Sequence, residues 1–314
     1  MGELIQIRTA REARVLLGGA HRLERAARRG DLTRLRSGAY ADSDNLVGVS
    51  EEALHLARVA ASRLAAIREP VFSHESAAAL LGIPLIGDWP ERARTTVPKN
   101  GTKSSGSVQR TRRTLGPHEI VTLEDGTRVT SPARTAIDLA AGRSLLAGIV
   151  AISYVRHAGV PLGDLERAVD ELGSGSGVRR TRAAIRRSAD RSESALETLV
   201  LVRLQDYGFE TPELQRPIRG IDGREYRVDF AWQDDRILLD VDGYSKYEAI
   251  AAASGRTAAE VVLEEKRRED ALRPMCDRFL RLGCSEAWGG HELLRRLAAV
   301  GIPRRARCAS VLTF

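Results

Sequence analysis

Cysteine is scarce and badly spaced for any cross-link. The 314 residues hold three, Cys276, Cys284 and Cys308, all late in the chain. An odd number without a C-x-x-C pair argues against a disulfide scaffold and against a structural zinc centre. Long apolar runs are missing too. The longest, Leu145 to Val155, is too short for a bilayer span and is interrupted by Gly148 and Ser153. The opening "MGELIQIRTAREARVLL" has acids and arginines where a secretory signal needs an apolar core. These absences lead to the expectation of a soluble cytoplasmic protein with no membrane partner. With 43% hydrophobic and 29% charged residues the chain is globular rather than disordered.

Arginine, by contrast, is plentiful. It supplies most of the positive charge behind a net +7 and a pI near 9.7. Such a balance favours a polyanionic partner, because the planar guanidinium pairs with phosphate oxygens two at a time. The length predicts two or three domains.

Residues Arg8 to Leu17 have helical spacing, and "GGA" then makes a turn before "HRLERAARRG", a second helix ending at Gly30. Two strand-like pieces around Ser37-Gly38 follow as a hairpin. Helix, turn, basic helix and hairpin over residues 1–48 is the order of a winged helix-turn-helix. Its candidate DNA contacts are Arg22, Arg25, Arg28 and Arg29 on the helix and Arg34 and Arg36 on the hairpin. The alternative from the same pattern is a small helical cap with a solvated basic face.

From Glu51 to Ile67 the spacing predicts an amphipathic helix with apolar positions 54, 56, 57, 60, 64 and 67. "FSHESAAALLGIPL" adds a second, started at Ser73 and stopped by Gly82 and Pro84. His74 reads as a helix-start residue rather than a metal ligand. Alternating segments then run to a helix begun near Ser131-Pro132, closing an α/β middle domain over 49–142. Further helices and a basic one, "VRRTRAAIRRSAD", read as a helical linker over 143–190, with "GSGSG" as the candidate flexible boundary. "RRGDLTRLRSGAY", "SHESAAALLGIPL" and "VTSPARTAIDLA", over roughly residues 1–140, resemble AbiEi-type antitoxins of type IV toxin–antitoxin systems. That resemblance implies a DNA-binding winged helix and an adjoining scaffold domain without an enzymatic site.

The remaining residues, 191–314, carry acids in an unusual place. "SESALETLVLVRLQDYGF" is a helix with Glu197 among Leu196, Leu199, Val200, Val202 and Leu204. That glutamate is either a surface residue lying over the apolar face or part of a site. "VDFAWQDDRILLDVDG" follows a hairpin turn at Asp222-Gly223 and puts Asp229, Asp240 and Asp242 on two neighbouring strands. Alternation places Leu238, Asp240 and Asp242 on one face and Ile237, Leu239 and Val241 on the other. Unpartnered carboxylates are costly to desolvate, so a divalent metal is the expected reason for bringing acids together.

A helix with an acid, a strand ending in an acid and a third strand with an acid after an apolar run form the PD-(D/E)-x-K nuclease pattern. Hard oxygen ligands suit Mg²⁺ or Mn²⁺, which stabilises phosphoryl charge and supplies a more acidic water. The metal ligands expected on this reading are Glu197, Asp229 and Asp240. Over residues 190–300 the chain resembles the Vsr-like relatives of very-short-patch-repair endonucleases. The residues that carry the likeness are Ser194 and Glu197, Pro212, Glu213 and Gln215, Val228 to Trp232, and Asp240 to Gly243. It implies a restriction-endonuclease-like α/β/α core, making the whole chain an α+β multidomain protein. Asp240 replaces the usual glutamate, Asp242 stands where the motif lysine would be, and a histidine after D-G is missing. Lys246 or Lys266 is the expected substitute for the lysine, with Gln215 and Asp242 completing the candidate catalytic set. The functional expectation is a metal-dependent endonuclease acting on double-stranded DNA. The alternative is a DNA-binding regulator or antitoxin with a degenerate nuclease domain, for which a cognate toxin or a second copy of the chain would be a partner.

Overall fold

Thr9 opens the first helix and Gly18 closes it. The Thr9 hydroxyl accepts from the Glu12 amide while the Glu12 carboxylate accepts from the Thr9 amide, so two otherwise orphaned donors are satisfied. Gly18 takes φ 74°, a left-handed conformation open to glycine without a Cβ penalty, and its amide turns back onto the last carbonyls. Helix α1 (Ala10–Leu17) is therefore short, and α2 (Ala20–Arg29) begins two residues later. The computed structural model describes residues 5–175, 177–234, 236–242 and 257–304. The chain divides into two compact units, 1–186 and 187–314.

In the first unit, β1 (Arg8–Thr9), β2 (Leu32–Arg36) and β3 (Ala39–Asp42) form an antiparallel sheet with β3 in the middle. Ala13, Leu23, Ala26 and Leu32 make the core between this sheet and the two helices. Arg8, read as helical from the sequence, is extended instead: it pairs with Tyr40 across the sheet and its guanidinium holds Asp42.

Helix α3 (Glu51–Leu64) ends three residues earlier than its periodicity suggests. Ala60, Leu64 and Ile67, expected on the apolar face, are exposed, whereas His55, Ala57, Val59, Ala61 and Ser62 are buried. The physical reason is that this helix serves two cores. Ala57 and Ala61 pack with Leu35, Ala39 and Ala41, while Val59 packs with Phe72, Ala77, Ala93 and Val129. A single-stripe reading cannot describe a helix packed on two sides.

The second core lies under a five-stranded mixed sheet, ordered β6-β5-β4-β8-β7. Its strands are β4 (Val71–Phe72), β5 (Ala93–Val97), β6 (Val108–Arg112), β7 (Ile120–Thr122) and β8 (Arg128–Thr130). Helices α4 (His74–Leu81) and α5 (Pro132–Gly142) belong to this layer, followed by α6 (Leu145–His157), α7 (Leu162–Asp170) and α8 (Val178–Arg187). The expected helical linker is not a linker. Residues 147–153 of α6 are all buried, and a Cβ on Gly148 would meet Ala140 at 2.8 Å. Arg180 of α8 donates to the Ala140 and Ala141 carbonyls. The glycine–serine run therefore lies inside the first unit, and the division falls after the basic helix.

The second unit opens with α9 (Ala195–Asp206). A meander of β9 (Glu213–Arg219), β10 (Glu225–Trp232) and β11 (Ile237–Asp242) follows, then α10 (Ala258–Leu272) and β12 (Arg278–Gly283), which runs parallel to β11. Two short helices, α11 (Cys284–Trp288) and α12 (Gly290–Val300), end the described part. Strand order is β12-β11-β10-β9. Strand β11 is buried along its length up to Asp242, as its near-continuous apolar sequence implies. Leu238, Ala231, Ile218 and Leu272 form the core on the Asp240 face. The described residues thus make twelve α-helices and three sheets, an α+β arrangement. No described helix is long and apolar enough to cross a membrane.

Candidate functional site

The Ser194 hydroxyl accepts from the Glu197 amide and starts α9, which fixes Glu197 in the first helical turn. Glu197 is 7% exposed, and its Oε2 accepts from the Glu193 amide at 2.8 Å and from Gln215 Nε2 at 3.0 Å. Gln215 sits in β9 with φ 52°, a left-handed conformation within a strand. The β9–β10 ladder passes from Arg216↔Val228 to Leu214↔Phe230 and omits the Gln215–Asp229 pair. The same Nε2 also donates to Asp229 Oδ1 at 3.3 Å, so one amide spans two carboxylates.

The β10–β11 ladder ends at Phe230↔Leu239. Past it, side chains replace the backbone pairing. The Asp229 amide donates to Asp240 Oδ1 at 3.2 Å, and the Val241 amide donates to Asp229 Oδ2 at 2.8 Å. Asp240, 3% exposed, accepts at Oδ2 from Arg268 Nη1 at 2.5 Å. Arg268 also reaches Glu265 at 2.9 Å and the Arg227 carbonyl at 2.6 Å. Asp242 pairs with Arg281 at 2.7 Å, and Arg281 bridges to Glu265 and Glu269. Burial alone would lower the Arg268 pKa, but Asp240 and Glu265 outweigh it and hold the guanidinium firmly charged. Arg281 is raised against its own burial in the same way, by Asp242, Glu269 and Glu265.

Gln215, Asp229, Asp240 and Asp242 line one cavity of about 230 Å³, together with Glu193, Arg227, Glu265 and Arg268. Four of the expected catalytic residues are therefore brought together. Others are placed differently. Glu197 is not among the residues lining the cavity; its carboxylate accepts from the Gln215 amide that also reaches Asp229. Asp229 is not at a strand end; it is the fifth residue of β10, at the point where β11 parts from it. Lys266 is exposed and absent from the lining. Lys246 lies outside the described residues.

The cation that does reach the acids is Arg268, and helical spacing could have found it. Val261, Glu265, Arg268 and Leu272 fall on one face of α10, with Val261 and Leu272 buried at its two ends. A residue between two buried anchors on that face points inward, which Lys266 does not.

Among the described residues, the side-chain group whose ligand atoms come within 4.8 Å of one another is His118, Glu119 and Glu171, not the expected Glu197, Asp229 and Asp240. There His118 Nε2 lies 2.8 Å from Glu171, and Glu119 is already opposed by Arg113 and Arg134. His74 begins α4, buried against Ser73 and Asp138.

Of the candidate DNA contacts, Arg22, Arg25, Arg28, Arg29 and Arg34 are exposed. Arg29 pairs with Asp31 at 3.0 Å. Arg36 differs: it is half-buried and donates to the Ser62 and Ser37 carbonyls, turned toward the end of α3.

No family model matches the chain. Two uncharacterized proteins of Mycobacterium tuberculosis, one from strain CDC 1551 and one from strain ATCC 25618, are each 33% identical to it over 146 residues. The matched stretch is 45% of this chain and 50% of each relative. The chain spans about half the length of the curated relatives it matches.

Proposed function

We propose that this chain is a divalent-metal-dependent DNA endonuclease of the cytoplasm, carrying a winged helix-turn-helix at its N-terminus. The observation behind it is the convergence of Gln215, Asp229, Asp240 and Asp242 on one cavity where β10 and β11 separate. The sequence of a helix with an acid, two strands with acids, a helix and a parallel strand supports a restriction-endonuclease-like core. Helix, turn, basic helix and hairpin with five exposed arginines support the DNA-binding half.

The donor set fits Mg²⁺ or Mn²⁺ in kind, being made of oxygens. Asp229 and Asp240 are the residues that would hold the ion. Each Asp240 oxygen accepts one hydrogen bond, and a carboxylate oxygen has lone pairs for two acceptances. When bound, the ion supplies charge stabilisation on a phosphoryl oxygen and a more acidic water. The chain's own groups do the rest. Gln215 fixes the Asp229 carboxylate, Glu197 fixes Gln215, and Arg227 and Arg268 give the cavity cations able to face phosphate oxygens.

Arg268 also favours a second reading. A guanidinium on Asp240 neutralises the acid internally, as it would in a regulator or antitoxin whose nuclease-like domain has become a binding module for DNA or a cognate toxin. Incubation of plasmid, mismatched duplex and single strands with Mg²⁺ or Mn²⁺ separates the two. Cleavage by wild type that is lost in Asp229→Asn and in EDTA supports the nuclease. Binding of DNA without any cleavage selects the regulator.

A further inference from the structure

The first unit holds a second, larger cavity of about 880 Å³, walled by the five-stranded sheet and the segment that follows α3. Five arginines line it: Arg36, Arg110 and Arg113 are half-buried, and Arg68 and Arg128 are exposed. The acid among the lining residues is Glu69, which is taken by Arg63 at 2.9 Å. Arg113 is opposed by Glu119. The other four have no carboxylate partner among the described residues. Arg36 donates to the Ser37 and Ser62 carbonyls, and Arg110 to the Lys103 carbonyl. Burial, and then the charge of Arg110, pulls the Arg36 pKa down, so two like charges share a partly dry space.

Half-buried guanidinium groups normally find carboxylates, because an uncompensated charge is costly to desolvate. Converging ones that meet only carbonyls are poised for an anion from outside. Most of the remaining lining is apolar, with Val71, Val97, Leu115 and Ile120 among it, and Ser62, Asn100 and four threonines, Thr95, Thr96, Thr102 and Thr114, add uncharged polar groups. A cavity that offers both guanidinium groups and apolar side chains suits a ligand with a charged and an apolar half, and the volume lies in the range of small-ligand pockets.

We propose that this cavity binds a nucleotide, with its phosphates on Arg36, Arg110, Arg68 and Arg128 and its base against the apolar side chains. The site is separate from the acidic cavity of the second unit and does not depend on the endonuclease reading.

The test is calorimetry on the full chain with ATP, adenosine, tripolyphosphate and a short single-stranded oligonucleotide. ATP is expected to bind more tightly than either adenosine or tripolyphosphate, since each of those lacks one half of the recognised chemistry. Arg36→Gln with Arg110→Gln should weaken ATP by about tenfold or more, equivalent to losing a charge-assisted phosphate contact. That pair removes mutual repulsion, so unfolding is not the expected outcome. Arg68→Gln with Arg128→Gln, at exposed positions, is the second variant and should also weaken ATP. No binding of ATP at millimolar concentration overturns the proposal, as does binding that neither variant changes. Tripolyphosphate binding as tightly as ATP would reduce the site to a basic patch. An oligonucleotide that binds where ATP does not, and is lost in the same variants, would make it a nucleic-acid groove instead.

Discussion

Asp229 and Asp240 each hydrogen-bond the other's strand: the Asp229 amide donates to Asp240 Oδ1, and the Asp229 carboxylate accepts from the Val241 amide next to Asp240. The two acids thereby bridge the strands that they sit on where the backbone ladder has ended, and both line the acidic cavity. A pair of carboxylates that satisfies backbone donors tolerates its neighbour better than a bare pair would.

The first prediction concerns the ion pair behind this arrangement. Asp240→Asn should cost about 2 kcal/mol, somewhat under the usual price of breaking a buried pair because Glu265 remains beside Arg268. Asp240→Asn with Arg268→Met should be more stable than the sum of the single changes. Urea unfolding of the four proteins gives the coupling; strict additivity would mean that the pair contributes nothing.

The second concerns the metal. Arg268→Gln removes the cation resident on Asp240, so Mn²⁺ should bind about tenfold more tightly than to wild type. Asp229→Asn and Asp240→Ala should bind it more weakly than wild type. Isothermal calorimetry and the Mn²⁺-induced rise in Tm are independent readings of the same affinities. Weaker binding in Arg268→Gln would show that the arginine supports the ion rather than competing with it.

Acid sensitivity should come from the first unit. Burial lowers the pKa of both His55 and His74 from the ordinary 6.5, only partly opposed by the Pro90 carbonyl at one and Asp138 at the other. Below pH 6.5 the unfolded chain takes up protons that these buried rings do not. Stability is therefore full above 6.5 and falls as pH drops below it, by up to about 1.4 kcal/mol per pH unit for each ring. Glu75 adds a lower limb. Its own burial opposes ionisation, but Arg94 and Arg143 outweigh it and lower the pKa, so its contribution is lost only as pH falls below about 4.5. His74→Asn tolerates the left-handed φ of 54° and should flatten the upper limb. Urea titrations between pH 7.5 and 5, on the order of six points, suffice to compare the slopes.

DNA binding should divide the arginines. Arg25→Ala with Arg29→Ala should weaken duplex binding and reduce the salt slope by about one unit per lost phosphate contact. Arg36→Gln should leave both unchanged, because its half-buried guanidinium lines the first unit's cavity beside Ser62 and is not exposed with the arginines of α2. Fluorescence anisotropy across a salt series reads affinity and slope together. An equal loss from Arg36→Gln would place that residue back on the DNA.

Much of the local structure was legible because it is written in short-range chemistry. Helix α2 ending at Gly30, the hairpin at Asp222-Gly223 and the alternation that puts Asp240 and Asp242 on one face all follow from neighbours in sequence. What could not be read depends on which surface an element meets. Helix α3 is divided between two cores, and α6 reads as a connecting helix although its neighbours α5 and α8 enclose it. In the acidic cavity, the acids stand out in an apolar run, but their partners come from α10 and β12, 28 and 39 residues away. The lysines drew attention because the nuclease pattern names a lysine, while the helical face selects Arg268. Glu197 was visible as an odd acid among leucines; that it would steer a glutamine was not.

Gln215 has an effect beyond the cavity, because β9 is the outer strand of its sheet. A flat outer strand offers an unbroken row of amides and carbonyls to any extended chain that comes by, including another copy of itself. Here Gln215 turns the backbone into a left-handed conformation, and two residues on Pro217 has no amide hydrogen to offer. The kink that aims a side chain at Asp229 thus leaves the sheet with a border that a further strand cannot follow for more than a few residues. A change to a β-former at both positions would straighten that border, and self-association through strand addition would be its first symptom.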